Sequence, residues 1–270
     1  MRRSKKLILA GMVSAAGFAA AGADARPVDL TVTIENLSPT DSISFAPLRF
    51  GFGNGSFDAF DIGTEANAAI TSIAEGGTGT DWLPAFAAAD PDAIIASSSG
   101  PLLPGAAQEV GTFRVDTEEN RFFTFANMVI PSNDLFLGND NPMAFNLFDV
   151  NGNLQIFDIT QTASQIWNNG SEVADPANAA FVQGGNNAAR TLENGLIEFA
   201  FDELLAFNGV TTAAGYVFQT QIGSSDEIFR ISFKAVDVPE PAALAPFATG
   251  LALLGIGAFA RRLRRAKRAA

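Results

Sequence analysis

The sequence predicts a mainly β chain: an antiparallel β-sandwich of about eight strands with one or two short helices, followed by a C-terminal transmembrane helix. Three observations predict it. Short apolar runs with period-two alternation recur through the middle of the chain, separated by turns rich in Gly, Pro, Asn and Asp. The helical segments expected there are few and short. The last 33 residues hold a long uncharged apolar run that ends in a cluster of basic residues.

Val28, Leu30, Val32 and Ile34 alternate with polar positions and read as a half-buried strand. Residues 43–52 are rich in Phe and read as a second. In 65–75, Ala66, Ala69, Ile70, Ile73 and Ala74 recur at helical spacing, with Asp61 upstream as a candidate cap and Gly76-Gly77 to end the helix. Residues 82–89 predict another short helix, and 90–107 a long loop rich in Pro, Ser, Gly and Ala. Two strands over 109–115 and 121–130 flank a charged turn. Asn151-Gly152 between the apolar runs 143–150 and 153–159 is a hairpin signal, because both turn residues tolerate positive φ. Asp149 opens a sequence like an EF-hand loop, but Gly152 falls too early for one, and the hairpin accounts for it. A short helix is expected over 162–168, with Thr162 and Gln165 at capping-box spacing. After a polar loop, 215–222 and 227–236 read as the closing strands. Gly51, Gly53 and Gly55 lack the βαβ context of a dinucleotide-binding turn.

The two ends are addresses rather than fold. Arg2, Arg3, Lys5 and Lys6 precede an apolar stretch, and Ala23-Asp24-Ala25 offers a small-x-small cleavage site. Residues 1–25 therefore read as a secretory signal peptide, with a mature start near Arg26. At the other end, Val238-Pro239-Glu240-Pro241 leads into residues 242–260, which carry no charge. Nineteen residues at a rise of ~1.5 Å give about 28 Å of helix, close to the thickness of a bilayer core. The Arg- and Lys-rich terminus that follows would stay on the cytoplasmic side. A polar motif at the membrane boundary, a spanning segment and a basic tail are together similar to the PEP-CTERM sorting signal of Gram-negative bacteria. The resemblance implies processing by an exosortase, insertion in the inner membrane through 242–260 beforehand, and a final place at the cell surface or outside the cell. The chain then divides into 1–25, a domain over 26–237 and the sorting signal over 238–270.

Between the ends, seven basic residues face 27 acidic ones, a net charge of −20. Such a surface repels nucleic acid and bare anionic lipid and attracts cations. The chain has no Cys and no His. Disulfides, thiol nucleophiles, a His general base and His/Cys zinc sites are thereby excluded. Metal binding falls to oxygen ligands, which favour calcium or magnesium. Phe occurs 24 times against one Tyr and two Trp, so Trp82, Trp167 and Tyr216 alone could offer a sugar the usual aromatic platform.

Three segments carry a second resemblance. The first runs from Pro47-Leu48-Arg49-Phe50-Gly51-Phe52 through Phe57-Asp58-Ala59-Phe60-Asp61 to Ile73-Ala74-Glu75-Gly76-Gly77. The second holds Met128, Pro131-Ser132, Asp134, Phe136 and Gly138 in the pattern Met-x-x-Pro-Ser-x-Asp-x-Phe-x-Gly. The third is Trp167-Asn168-Asn169-Gly170-Ser171-Glu172. In order and spacing they resemble the spondin N-terminal domain, over about residues 30–236. That resemblance implies an eight-stranded sandwich similar to calcium-dependent phospholipid-binding domains, with a calcium ion held in loops at one end by Asp134, Asn168 and Glu172. Asn168 departs from the Asp usual at its position, which removes one negative charge and should weaken the site. On the residues alone, Asp134 would serve equally as a turn cap, and Glu172 as a solvated loop carboxylate. Asp140 is a further acid that would help the ion or solvate its loop, and Asp58 another acid of a Phe-rich turn.

The expected function is that of a non-enzymatic cell-surface or matrix protein, associated with biofilm, whose partner is an extracellular polysaccharide or another matrix protein. Two alternatives stand beside it: a carbohydrate-active enzyme using paired carboxylates, and a calcium-dependent membrane-binding module.

Overall fold

The computed structural model describes residues 26–236. The signal peptide expected over 1–25, the sorting signal over 238–270 and its membrane helix over 242–260 lie outside the described residues. Among the described residues, no helix is long and apolar enough to cross a membrane.

Alternation builds the first sheet. Strand β1 (Pro27–Asn36) buries Leu30, Val32 and Ile34 and turns the intervening residues outward. Strand β11 (Glu227–Val236) pairs with it antiparallel, setting Val32 opposite Phe233 and Ile34 opposite Ile231. Strand β5 (Ala107–Asp116) flanks β1 on the other side, with a bulge where the register shifts between Val32 and Thr33. Strand β8 (Asp158–Thr162) pairs with β11, so the order is β5-β1-β11-β8.

The second sheet is built around β6 (Phe122–Ile130). Strand β3 (Arg49–Gly53) pairs on one side of it and β7 (Leu135–Gly138) on the other. Strand β4 (Ile94–Ser97) extends the β3 edge. Two-residue strands β9 (Trp167–Asn168) and β10 (Glu198–Phe199) extend the β7 edge, and β2 (Ser44–Phe45) pairs with the end of β6. The resulting order is β10-β9-β7-β6-β3-β4. The described residues thus form a sandwich-like pair of antiparallel sheets, and eight of the strands among them have four residues or more.

Phenylalanine fills the space between the sheets. Phe50, Phe52, Phe123 and Phe125 face inward from β3 and β6. They meet Phe113 and Phe233 of the first sheet: Phe50 and Phe113 lie 5.3 Å apart edge to face, and Phe123 and Phe233 4.9 Å apart. Edge-to-face rings gain from their quadrupoles beyond the area they bury.

Two helices cover the outer face of the second sheet. Helix α1 (Ala68–Ala74) starts at Asn67, whose side chain accepts a hydrogen bond of 3.0 Å from the Ile70 N–H. Asp61, the cap expected from sequence, lies too far upstream; its carbonyl instead accepts from the Thr64 hydroxyl at 2.8 Å. Helix α2 (Trp82–Ala89) packs Trp82 and Phe86 against Phe57. It approaches so closely that a Cβ on Gly51 would overlap the Phe86 ring, and one on Gly53 would lie 2.6 Å from Asp90 Oδ2. Those glycines serve helix-on-sheet packing. For a seven-residue helix the cap matters. Asn67→Ala is expected to cost about 1 kcal/mol, read as a lower denaturant midpoint with unchanged slope.

Other expectations change. The run over 43–52 is two strands, because Pro47 lacks the N–H that a continuous ladder needs and the chain breaks over 46–48. The loop expected over 90–107 contains edge strand β4. The Asn151-Gly152 turn forms, with Gly152 N–H bonded to Asp149 O at 3.0 Å, but its ladder is the single bridge Phe148–Leu154. The helix expected over 162–168 is one 3₁₀ turn, Ala163–Gln165, in which Gln165 reaches back to the Thr162 N–H at 2.8 Å; Trp167 and Asn168 then pair as a strand. Residues 215–222 form irregular turns, with Thr211 bridged to Val217, where a closing strand was expected.

Candidate ion-binding site

The site forms where β7 meets β9. Strand β6 ends at Ile130, and Pro131–Asn133 turn the chain so that Asp134 stands at the head of β7. Leu135 pairs with Asn168 and Phe136 with Trp167, which brings the 169–172 loop over Asp134. The Asn169 N–H donates to Asp134 O at 3.1 Å. The loop then wraps the carboxylate. Asp134 Oδ2 accepts from Ser171 N at 2.9 Å, Ser171 Oγ at 3.2 Å and Glu172 N at 3.0 Å. Gly170, at φ +70°, makes the turn and lets the 170 and 195 backbones lie against each other.

Asp134 has no exposed surface, and its second oxygen, Oδ1, has no hydrogen-bond partner. Burial dominates its titration: the acid is pushed up to about 7, against the lowering effect of the Glu172 and Ser171 N–H groups, and the Glu203 charge pushes it further in the same direction. A buried carboxylate with half its acceptor capacity unused lacks a ligand or a proton.

Asn168 is buried beside it. Its Oδ1 accepts from the Gly170 N–H, and its Nδ2 donates to Glu203 Oε1 at 2.6 Å. Glu203 belongs to a 3₁₀ helix (Phe201–Phe207) that buries Leu204 and Phe207. Its acid is raised chiefly by burial; the Asn168 bond opposes this, and the Glu193 and Glu198 charges add to it.

Glu172 is placed differently. Its N–H serves Asp134, but its side chain turns toward Arg190 and Asn133. Oε1 lies 2.7 Å from Arg190 Nε, and Oε2 accepts from Asn133 Nδ2 at 3.3 Å. The Arg190 N–H is not aimed at Oε1, so the contact is an ion pair without a hydrogen bond. Arg190 also lies 3.6 Å from Glu75. Burial raises the Glu172 acid, Glu75 adds to the rise, and Arg190 and Asn133 oppose it.

The three residues singled out from sequence therefore converge, with different duties. Asp134 binds the Ser171 and Glu172 N–H groups through Oδ2, whereas the Asn168 side chain bonds the Gly170 N–H and Glu203. Glu172 supplies a backbone donor to Asp134 and pairs its carboxylate with Arg190. Glu203 and Arg190 were not anticipated. The i, i+3 spacing of Phe201, Leu204 and Phe207 was the available signal for Glu203. Asp140 accepts from the Ile62 N–H at 3.2 Å, in a loop contact. The Asp58 acid is raised, mostly by burial.

The side-chain oxygens of Asp134, Asn168 and Glu203 are of the kind a hard divalent ion takes. Two carboxylates and one amide fall short of the six to eight oxygens that calcium prefers, so water would have to supply the rest. Among the described residues, no three Asp, Glu, His or Cys side chains are gathered as a metal cage. The aromatic residues are committed elsewhere: Trp82 and Trp167 are buried, and the half-buried Tyr216 hydroxyl bonds Ser44 at 2.7 Å and Ser42 O at 2.9 Å. No family model matches the chain, and no curated protein sequence matches it.

Proposed function

We propose that the chain is a non-enzymatic, exported cell-surface or matrix protein. In this reading its spondin-like sandwich is stabilised by calcium, and an exosortase processes its C-terminal signal. The observation that carries the calcium reading is the unpartnered, fully buried Asp134 Oδ1. Calcium there would replace the missing partner and neutralise two acids raised by burial. The same observation weighs against the paired-carboxylate enzyme. An acid near 7 suits proton transfer, but a catalytic carboxyl must touch substrate, and Asp134 has no exposed surface.

The full chain in mild detergent should melt at higher temperature in millimolar calcium than in chelator, since an ion that binds only the folded state stabilises it by mass action. At a hundred times the dissociation constant the gain is about 2.7 kcal/mol, or roughly 5–10 °C for a domain of this size. No shift would remove calcium from the account. The sorting reading is tested separately: the intact mass of surface-exposed protein from a host with an exosortase should lack the Arg- and Lys-rich terminus, and a retained terminus rules sorting out.

A further inference from the structure

The two sheets share one pair of ends. Phe123 of β6 lies 4.9 Å from Phe233 of β11 near the first end, and Phe45 of β2 lies 4.8 Å from Phe229 near the second. Strand β11 runs toward the first end and finishes there at Val236, which pairs with Asp29 at the start of β1. Strand β6 runs the opposite way, and the turn after Ile130 carries Asp134 at the second end. The nine residues of β6, at ~3.3 Å each, set the two ends about 25–30 Å apart.

The first end carries exposed apolar side chains from separate segments. Val236 closes β11. Phe157 is 60 % exposed, and its carbonyl accepts from the Phe233 N–H at 2.7 Å. Val150 is 80 % exposed in the turn over 149–152, which sits on Thr117: a Cβ on Gly152 would lie 3.0 Å from Thr117 Oγ1. That hydroxyl accepts from the Arg26 N–H at 3.3 Å, just before β1. Met143 is exposed beside Gly55, a little past the end of β3. Glu118 and Glu119 are exposed in the turn that follows β5.

Chain length says what covers this end. Five residues, 237–241, separate Val236 from the uncharged run over 242–260. Fully extended, the chain from Val236 to residue 242 spans about 20 Å at ~3.4 Å per residue. That is less than the height of the sandwich, so the Asp134 end cannot be set end-on against a bilayer that holds 242–260. The Val236 end can. A tether this short also gives that end a high effective concentration at the lipid, so a few apolar tips too weak to bind from solution gain a contact. Glu118 and Glu119 repel anionic headgroups, so the contact favours zwitterionic lipid. We propose that, while 242–260 hold the chain in the membrane, the end bearing Val150, Phe157 and Val236 rests on the lipid surface and the Asp134 end faces away from it. The proposal rests on the membrane-anchored stage of the sorting reading and does not depend on calcium.

The chain has no Cys, so a single introduced Cys is a unique site for a fluorophore. Asn151→Cys labels the Val236 end. Asn194→Cys labels the Asp134 end, where the neighbouring Glu193 N–H bonds Ser171 O at 2.8 Å; both positions are exposed. The full-length variants are placed in phosphatidylcholine nanodiscs, in chelator, with lipid spin-labelled near the headgroup. The probe at 151 should lose fluorescence to the spin label, and the probe at 194 should not. Val150→Asp with Phe157→Asp should abolish that loss, and phosphatidylglycerol-rich discs should reduce it. Val150→Asp alone, at the more exposed of the two positions, should reduce it as well and keeps the test standing if the double variant does not fold. In chain that co-elutes with the discs, quenching at neither position, equal quenching at both, or quenching at 151 indifferent to the Asp substitutions would overturn the proposal and leave the anchor standing. Quenching at 194 that appears only with calcium would overturn it in favour of a calcium-dependent membrane contact. Chain that does not co-elute with the discs would sink the anchor itself, and the proposal with it.

Discussion

Asp134→Asn is expected to raise the stability of the metal-free protein at about pH 7.5 and to flatten its dependence on pH. The Asp134 acid lies at about 7 in the folded chain, well above its ordinary value of 3.8. Between those values the folded state keeps a proton that the unfolded chain has released. Stability therefore falls as pH rises through that window and is lowest above it. A shift of roughly three units corresponds to on the order of 4 kcal/mol, a large part of the 5–15 kcal/mol typical of a domain. Glu172 and Glu203, both raised by burial, act in the same direction. An asparagine oxygen still accepts from the Ser171 and Glu172 N–H groups, and the ionisation is gone. Part of the gain is offset where the new NH₂ must find an acceptor. The expected net gain at neutral pH is about 1–3 kcal/mol by urea denaturation, with no gain near pH 4, and the calcium response should disappear. A variant less stable than wild type at both pH values would show that the carboxylate is structural and fully satisfied. A residue that lowers stability in the absence of its ligand is the expected cost of a binding site.

Asn168→Asp is expected to make the fold depend on calcium. The Asn168 amide donates to Glu203 Oε1 at 2.6 Å, so a neutral donor now quiets a half-buried carboxylate in the place where a cation would otherwise be needed. An aspartate removes that donor and sets a second acid against Glu203, while its other oxygen still accepts from the Gly170 N–H. Loss of a hydrogen bond to a charged group costs about 1.5–3 kcal/mol, or roughly 3–12 °C in melting temperature for a domain of this length. Calcium should recover that loss and go beyond it, because the added charge raises affinity. The expected signature is a variant less stable than wild type in chelator and at least as stable in millimolar calcium. Destabilisation that calcium does not relieve would mean that Asn168 and Glu203 serve only to fasten the 201–207 helix to β9.

The contrast between these two substitutions follows from what each residue touches, and it marks how far the sequence could be read. Strands with strict alternation were legible: β1 and β11 appear where Leu30, Val32, Ile34 and Phe229, Ile231, Phe233 placed them. Local pattern suffices there because one face is buried and the other solvated. Strands β4, β9 and β10 were not legible, since two to four residues at a sheet edge carry too little pattern, and tertiary pairing decides them. Pro47 explains the split of the second strand and was readable as such. For the candidate site, the motif residues lie on loops that meet where β7 pairs with β9, but motif spacing says nothing of side-chain direction. Glu172 shares the loop with Asn168 yet pairs with Arg190, eighteen positions downstream, and Glu203 arrives from a separate 3₁₀ helix. Long-range partners of this kind are fixed by the packing of Leu204 and Phe207 into the core, not by the neighbouring sequence.

The central claim is that Asp134 carries an unmet demand for a cation. Its side-chain carboxyl ¹³C shift, followed through a pH titration with and without calcium, tests this most directly. The account predicts an apparent pKa near 7 in chelator and a fall below the ordinary carboxylate range in saturating calcium, with proton uptake lost as the ion binds. An Asp134 that titrates near 4 in chelator, or one near 7 that calcium leaves unmoved, would contradict it.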